Sequence, residues 1–265
     1  MSTGYELTRS EGQDDFPAPR PTDPVSLMSI LADVLRLPEE CLGMSFIYLN
    51  KYRKFQNNED KFPSLDDYML ILACLSVASK ATEAPRRVRE FLLPAWQIMH
   101  RNRPDTVPLT CSSPTYDALR SALVRTELVL LRVLRFELRI STPFDCLPGY
   151  LSGVMREFNA GDTSSDAARD FDYRKKEQKE AERITDLMDT NIAKACKAKA
   201  LFACRDYQLA NYFQAKPVAA ACIYTILQER GLIYGINARI WLREKISRSI
   251  DVADFEEAVL ALGKG

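Results

Sequence analysis

Apolar residues along this chain recur every three or four positions from Val25 onward. This spacing is that of one face of an α-helix. Segments that end near Phe55, Lys80, His100 and Leu138 all follow it, and with a short segment before them they predict five helices between about residues 25 and 140. Alternation with a period of two, which would indicate strands, is absent over any length. The sequence therefore predicts an all-α protein.

Proline and acidic residues mark the predicted helix starts. Pro38 precedes two glutamates, and a proline followed by acids is typical of a first helical turn. Ser64 precedes two aspartates and is predicted as the N-cap of the next helix. Pro85 and Pro114 open the two helices after it, and the first of these two ends at His100.

A proline-containing stretch divides the chain into two predicted domains. Ser141–Leu151 contains Pro143 and Pro148 and is interpreted as a hinge. The first domain is predicted at residues 24–141 and the second, with about five further helices, at 142–265. Each half has an apolar central helix, and the sequences of these two helices are LILACLSVA and VAAACIYTIL. This symmetry suggests a duplicated helical domain, although the pattern alone does not decide it.

The remaining segments complete this division. Residues 1–23 are predicted to form a disordered, proline-rich arm, and residues 160–176 a polar insertion. Glu177–Cys204 is interpreted as one long helix, and a packed helix is predicted to begin at Pro217 and end at Gly231. Two more amphipathic segments follow, around Ile240–Ile246 and Val252–Leu262.

Composition narrows the range of partners. Lys+Arg and Asp+Glu both number 36, so the formal net charge is zero, which argues against a protein that binds nucleic acid directly. The seven cysteines and the absence of a recognisable signal peptide predict reduced thiols in the nucleus or cytoplasm. The longest apolar run, Met69–Ala78, is shorter than the roughly 20 residues that cross a bilayer, so no membrane association is expected.

No catalytic constellation is apparent in the sequence. The single histidine, His100, lies at a predicted helix end, where a cap is favoured over a catalytic role. No glycine-rich phosphate loop is present, and Cys196 and Cys204 have no histidine nearby to complete a zinc site. The prediction is a non-enzyme without cofactor or metal.

Lys80 and Glu127 are isolated charges on otherwise apolar helical faces. A buried carboxylate without a partner is unfavourable. Three interpretations of Glu127 stay open: it faces water, it pairs internally with Lys80 or an arginine, or it accepts hydrogen bonds from the backbone of a partner protein. Lys80 has the matching option of donating to carbonyl groups at the end of a partner helix.

One basic cluster follows Lys80 in the sequence. Arg86, Arg87 and Arg89 lie where the fourth helix is predicted to begin. These arginines are interpreted either as a solvated helix face or as a surface for a phosphorylated loop or acidic tail.

Two stretches of the first half resemble the cyclin box. CLSVASKATEAPRRVREF is similar to the signature helix that ends in Ala-Ser-Lys with an acidic residue after it, and RTELVLLRVLRFEL is similar to the last helix of the box. FIYLNKYRKF fits an earlier helix of the box, and DYQLANYFQAKPVAAACIYTILQERG fits a second cyclin fold. Among cyclins the resemblance is to the transcription-type C, K and L groups, and most of all to the small cyclin Q, also called cyclin M.

The resemblance implies two tandem five-helix cyclin folds and a function. It implies a nuclear, non-catalytic regulatory subunit, also present in the cytoplasm, that binds and activates a cyclin-dependent kinase of the transcription-related branch. The partner would be a kinase similar to cyclin-dependent kinase ten. The residues expected to contact this kinase are Lys80, Glu83, Arg86, Arg87, Leu123, Glu127 and Leu130.

The sequence also departs from the family pattern. The usual pair of acids after the lysine is reduced to Thr82-Glu83. Neither the substrate-docking motif nor the destruction box of cell-cycle cyclins has a counterpart. The alternative is an adaptor similar to transcription factor IIB, which uses a related duplicated fold on DNA; the zero net charge and the lack of a zinc ribbon argue against it.

Overall fold

A computed structural model describes residues 23–59, 64–101, 107–159, 186–233 and 235–263. These residues form helices, turns and loops without a strand, which confirms the all-α prediction. The five helices predicted for the first half are present; they are α1 (Pro24–Val34), α2 (Glu39–Asn58), α3 (Asp67–Ala81), α4 (Val88–Met99) and α5 (Pro114–Val133).

The second half adds six helices within its described residues. They are α6 (Pro143–Asn159), α7 (Asn191–Arg205), α8 (Tyr207–Tyr212), α9 (Ala215–Glu229), α10 (Ala238–Trp241), which continues into a π-helical turn at Leu242–Ile246, and α11 (Val252–Leu262). The last two segments agree with the predicted amphipathic stretches. Gly231 has φ +70° directly after α9, which confirms it as the residue that ends this helix.

Two helix starts in the first half lie later than predicted. The N-cap of α3 is Asp66, whose Oδ1 atom accepts a hydrogen bond from the Met69 amide at 2.9 Å, and not Ser64. Helix α4 begins at Val88 and not at Pro85, because Glu90 accepts a hydrogen bond from the Arg87 amide at 2.7 Å and fixes the first turn there. In both places a carboxylate that accepts a backbone amide in the first turn fixes the start of the helix.

The predicted hinge is largely helical. Helix α6 begins at Pro143. Amides in the first turn of a helix have no partner within the helix, so the missing N–H of proline costs no hydrogen bond there. The Thr142 amide donates to Asp145 Oδ2 at 2.6 Å, which satisfies one donor at this end. Pro148 lies inside the helix, which continues through it to Asn159. The prediction of a hinge over Ser141–Leu151 was therefore wrong beyond its first two residues.

The prediction of one long helix at Glu177–Cys204 was also wrong in its extent. Thr190 is an N-cap, and its hydroxyl accepts from the Ala193 amide at 3.3 Å, so that α7 begins at Asn191. The start of the predicted helix lies outside the described residues. The predicted insertion at 160–176 and the predicted arm also lie outside them, apart from Asp23, which caps α1.

Each half is built around one enclosed helix. Leu70–Ser79 of α3 and Pro217–Leu227 of α9 are buried at every position. Helices α1, α2 and α5 pack against α3, whereas α6, α7 and α11 pack against α9. These are the two apolar central helices of the sequence pattern. The limits of the two domains stay a prediction.

Helix α2 joins the two halves because it also packs against α7 and α8. Its residues Cys41–Asn50 are buried on every side. Gly43 lies so close to the second half that an added Cβ atom would be 2.7 Å from Cε2 of Phe144 and 3.4 Å from Sγ of Cys204.

A buried asparagine supplies the polar part of this junction. Asn50 Nδ2 donates to the carbonyls of Cys204 and Arg205, at 3.0 Å and 3.2 Å, and so satisfies groups at the C-terminus of α7. Asn211 Nδ2 donates to the Asn50 carbonyl at 3.1 Å. The side chain of Asn50 therefore connects both halves of the molecule.

Asn50→Ala is expected to lower the free energy of unfolding by about 1–3 kcal/mol, because it leaves buried carbonyls of α7 without a donor. Urea denaturation monitored by circular dichroism measures this change. Asn57→Ala is the matched control, since Asn57 is exposed and its contact with Tyr207 is long, at 3.5 Å. An equal effect of both substitutions would contradict the role given to Asn50.

Candidate functional site

Lys80 and Glu127 form an ion pair between α3 and α5. The Lys80 Nζ atom lies 3.1 Å from Oε1 and 3.0 Å from Oε2 of Glu127. Lys80 is in the last turn of α3, and Glu127 lies in the second half of α5. Of the three interpretations left open by the sequence, internal pairing with Lys80 is therefore present in the structure.

The two members of the pair differ in exposure. The side chain of Glu127 is 13% exposed, whereas that of Lys80 is 50% exposed. An ammonium group has three donors, and the carboxylate occupies only part of this capacity. Glu127 thus holds Lys80 in place, while the exposed side of the ammonium group remains able to donate to a partner.

Helix α5, which carries Glu127, and the residues just after it have exposed apolar side chains. Val124 and Leu128 are 43% and 49% exposed, and their spacing along α5 places them on one face of the helix beside Glu127. Phe136, just after α5, is 67% exposed. We call these three residues the apolar rim. Exposed apolar residues that adjoin a held charge are typical of a protein-binding surface.

Two leucines predicted to contact the partner do not belong to this surface. Leu123 and Leu130 are 0% exposed and pack in the core. Their contacts are within the protein, so that no partner can reach them in this conformation. The rim residues Val124 and Leu128, one turn apart, replace them in the proposed interface.

Glu83 ends α3 in a backbone conformation that is unusual for its residue type. Its φ is +57°, in the left-handed region, and the next amide, of Ala84, donates to the Ser79 carbonyl at 2.9 Å. Glycine is the common residue at this position of the motif. Glu83 is exposed and lies three residues after Lys80. Its left-handed conformation therefore costs about 1–2 kcal/mol in backbone energy.

Glu83→Gly is expected to raise the free energy of unfolding by about 1 kcal/mol, because glycine adopts this conformation without a steric penalty. Chemical denaturation measures the change. Thr82→Gly is the matched control and is expected to destabilise, since Thr82 has φ −99° and its hydroxyl donates to the Ala78 carbonyl. A loss of stability in Glu83→Gly would contradict the assignment of backbone strain.

The arginines of the basic cluster have different roles. Arg86 donates from Nε and Nη2 to the Leu35 carbonyl, at 3.4 Å and 3.3 Å, and so satisfies the C-terminal end of α1. Arg87 is the N-cap residue of α4 and is exposed, as is Arg89. Arg86 is therefore a structural residue, whereas the exposure of Arg87 and Arg89 fits both a solvated face and a surface for a partner.

The histidine and the cysteines, which could in principle serve catalysis or metal binding, are engaged in helix capping and packing. His100 lies at the C-cap of α4, where its Nδ1 atom is 2.9 Å from the Trp96 carbonyl and its ring stacks on Trp96, as the cap prediction requires. Burial raises the pKa of the Cys196 and Cys204 thiols to about 12, which keeps both protonated at neutral pH. The described part of the chain holds no group of three or more potential metal ligands and no helix long and apolar enough to span a membrane.

Comparison with known proteins gives relatives both by sequence and by structure. No protein-family model matches the chain. Over 110 residues, which are 42% of this chain and 20% of the relative, it is 19% identical to Cyclin-T1-4 of Arabidopsis thaliana.

The fold is similar to a chain in the crystal structure of the yeast RNA Pol II CTD kinase CTDK-1 complex, with a TM-score of 0.59 and 14% identity. This match covers 91% of the present chain and 63% of the other. The matched region is thus less than two thirds of each relative. The structural similarity shows the fold, and both comparisons together support a relationship to the cyclin family.

Proposed function

We propose that this protein is a cyclin-type regulatory subunit, without catalytic activity of its own, that binds and activates a cyclin-dependent kinase of the transcription-related branch. The observation that carries the proposal is the Lys80–Glu127 pair, held between α3 and α5 beside exposed apolar residues. The named relatives support it, because one is a cyclin and the other is a kinase complex that acts on RNA polymerase II.

The surface suits a mechanism in which the kinase changes conformation on docking. A cyclin-dependent kinase is active only when a mobile helix brings its glutamate to the catalytic lysine. Lys80 would donate to carbonyls at the end of that helix, and the apolar rim would pack along its side. A partner that binds only the inward position of the helix shifts the kinase population toward the active state.

The resemblance to cyclin Q allows a narrower proposal. The kinase would be similar to cyclin-dependent kinase ten, and the complex would act in the nucleus. Within the surface we propose that Glu83 contacts the kinase next to Lys80, which would explain why glycine is not found at this strained position.

Capture of a kinase from cell extract tests the function. Tagged wild-type protein is expected to retain a cyclin-dependent kinase, identified by mass spectrometry, and purified protein is expected to raise the activity of that kinase. Lys80→Glu should abolish both effects. Lys199→Glu is the matched control, because it breaks another lysine–glutamate pair, Lys199–Glu229 at 3.2 Å, in the second half.

The results of this capture experiment distinguish kinase binding from DNA binding. Loss of the kinase in Lys80→Glu but not in Lys199→Glu, with both variants folded by circular dichroism, supports the proposal. Absence of any kinase, or its retention by both variants, would contradict it. Binding to duplex DNA would then be measured over a range of salt concentrations, since strong salt dependence identifies an adaptor of the transcription factor IIB kind.

A further inference from the structure

A cleft of about 400 Å³ opens where α2 meets the second half of the molecule. Residues of α2, of the start of α6, of the end of α7 and of the segment from α8 to α9 line it, and none belongs to α3 or α5. The cleft is therefore separate from the surface around Lys80. Its volume is within the range of clefts that bind ligands in proteins.

The charges that line the cleft are mainly positive. Lys51 of α2 and Lys216 of α9 both line the cleft, and neither forms an ion pair with a carboxylate among the described residues. Asp145 also lines the cleft, but its carboxylate accepts from the amide and the hydroxyl of Thr142, at 2.6 Å and 3.2 Å. A chain with zero net charge thus carries two unpaired cations in one cleft, which favours an anionic ligand.

Asn211 is among the residues that line the cleft, and its side chain has an unused acceptor. Its Nδ2 atom donates to the Asn50 carbonyl, whereas its Oδ1 atom is buried without a hydrogen-bond partner in the described part of the protein. A buried acceptor without a donor is unfavourable and indicates a missing partner. The ligand is therefore expected to supply a donor such as an N–H group.

Apolar side chains complete the walls. Ile47 of α2, Leu209 of α8 and Phe213 just after α8 all line the cleft. A ligand that matches all three features has an N–H donor, negative charge and apolar groups. An extended polypeptide with acidic and apolar side chains provides them together, because its amides alternate with side chains that point to opposite sides.

We propose that this cleft binds an extended segment of a partner protein in which acidic residues alternate with apolar ones. The acidic side chains pair with Lys51 and Lys216, the apolar ones contact Phe213 and its neighbours, and a backbone amide of the segment donates to Asn211. A nucleic acid fits less well, because two lysines beside an aspartate, in a chain of zero net charge, do not form the strongly basic surface on which phosphate-backbone binding depends.

Selection from a phage-displayed library of random decapeptides, with the full chain as target, tests this proposal. Enriched peptides are expected to contain Asp or Glu next to Leu, Ile, Val or Phe. By fluorescence anisotropy, the best peptide should bind the double variant Lys51→Glu/Lys216→Glu at least tenfold more weakly. Lys194→Glu/Lys197→Glu is the matched control, since these lysines lie on α7 and do not line the cleft.

Three results would overturn the proposal. The first is a selection without acidic enrichment, or peptides that bind the cleft variant as tightly as the wild type. The second is cleft-dependent binding of a single-stranded oligonucleotide in place of peptides. The third is competition by a synthetic peptide of residues 11–19 (EGQDDFPAP), which would assign the cleft to the protein's own arm. Kinase capture should be unchanged in the cleft variant, so this test is independent of the one on Lys80.

Discussion

The exchanged variant Lys80→Glu/Glu127→Lys is expected to fold like the wild type but to bind the kinase at least 100-fold more weakly. The exchange keeps an ion pair between α3 and α5, because a lysine at 127 and a glutamate at 80 remain within reach of each other. It places a carboxylate where the kinase is proposed to meet an ammonium group. A carboxylate that faces a carbonyl oxygen or another carboxylate is repelled, at a cost of several kcal/mol. A loss of about 2.7 kcal/mol of binding free energy corresponds to a 100-fold weaker affinity.

In this set of variants, the melting temperature and the kinase affinity should therefore not change together. Each single substitution is expected to lower the melting temperature, since it places like charges together beside the partly enclosed Glu127 position. The exchange should restore the melting temperature but not the affinity. Restoration of both would mean that the pair serves only the fold, and the interface would then have to lie elsewhere.

Gly43→Leu is expected to lower the free energy of unfolding by about 3 kcal/mol or more. Even a methyl group at this position would lie 2.7 Å from the ring of Phe144, which is only 5% exposed, so that the buried ring or the backbone of α2 would have to shift. Overpacking of a filled core typically costs about 1–3 kcal/mol, and a leucine adds three more carbon atoms to the overlap.

Urea denaturation with Gly153→Leu as control measures the effect of overpacking. Gly153 is also helical, but an added Cβ atom meets nothing within 4 Å there. This control should be neutral or stabilising by up to about 1 kcal/mol, because glycine is a poor helix former. Gly43→Ala combined with Phe144→Leu should recover much of the stability. Equal stability of the two leucine variants would contradict the close packing of α2 on α6.

The hydrophobic pattern predicted the helices well and their ends less well. The apolar run of α3, preceded by two aspartates, predicted a helix at this place. Its end near Lys80 was also predicted closely, since α3 ends at Ala81, although Glu83 just beyond it adopts a conformation for which glycine is the usual signal. Arg135 ends α5 in the same way, with φ +53°, which is why the predicted helix extended too far.

The site was predicted in part for a related reason. Periodicity assigns Glu127 to a helical face but does not say which residue of another helix faces it. Lys80 lies 47 positions away, and only packing of α3 on α5 brings the two together. The same limit applies to leucines of α5: the pattern does not distinguish Leu130, which is enclosed, from Leu128, which lies at the edge of the packed face.

The enclosure of α2 has a consequence for synthesis of the protein. Asn50 leaves the ribosome 154 positions before Cys204, the residue whose carbonyl it binds. At about 5–20 residues per second, this interval lasts roughly 8–30 s. During that time the face of α2 around Gly43 is uncovered on the nascent chain, and it is a target for chaperones or aggregation. The junction therefore forms late relative to the first five helices, which can form as soon as they are synthesised.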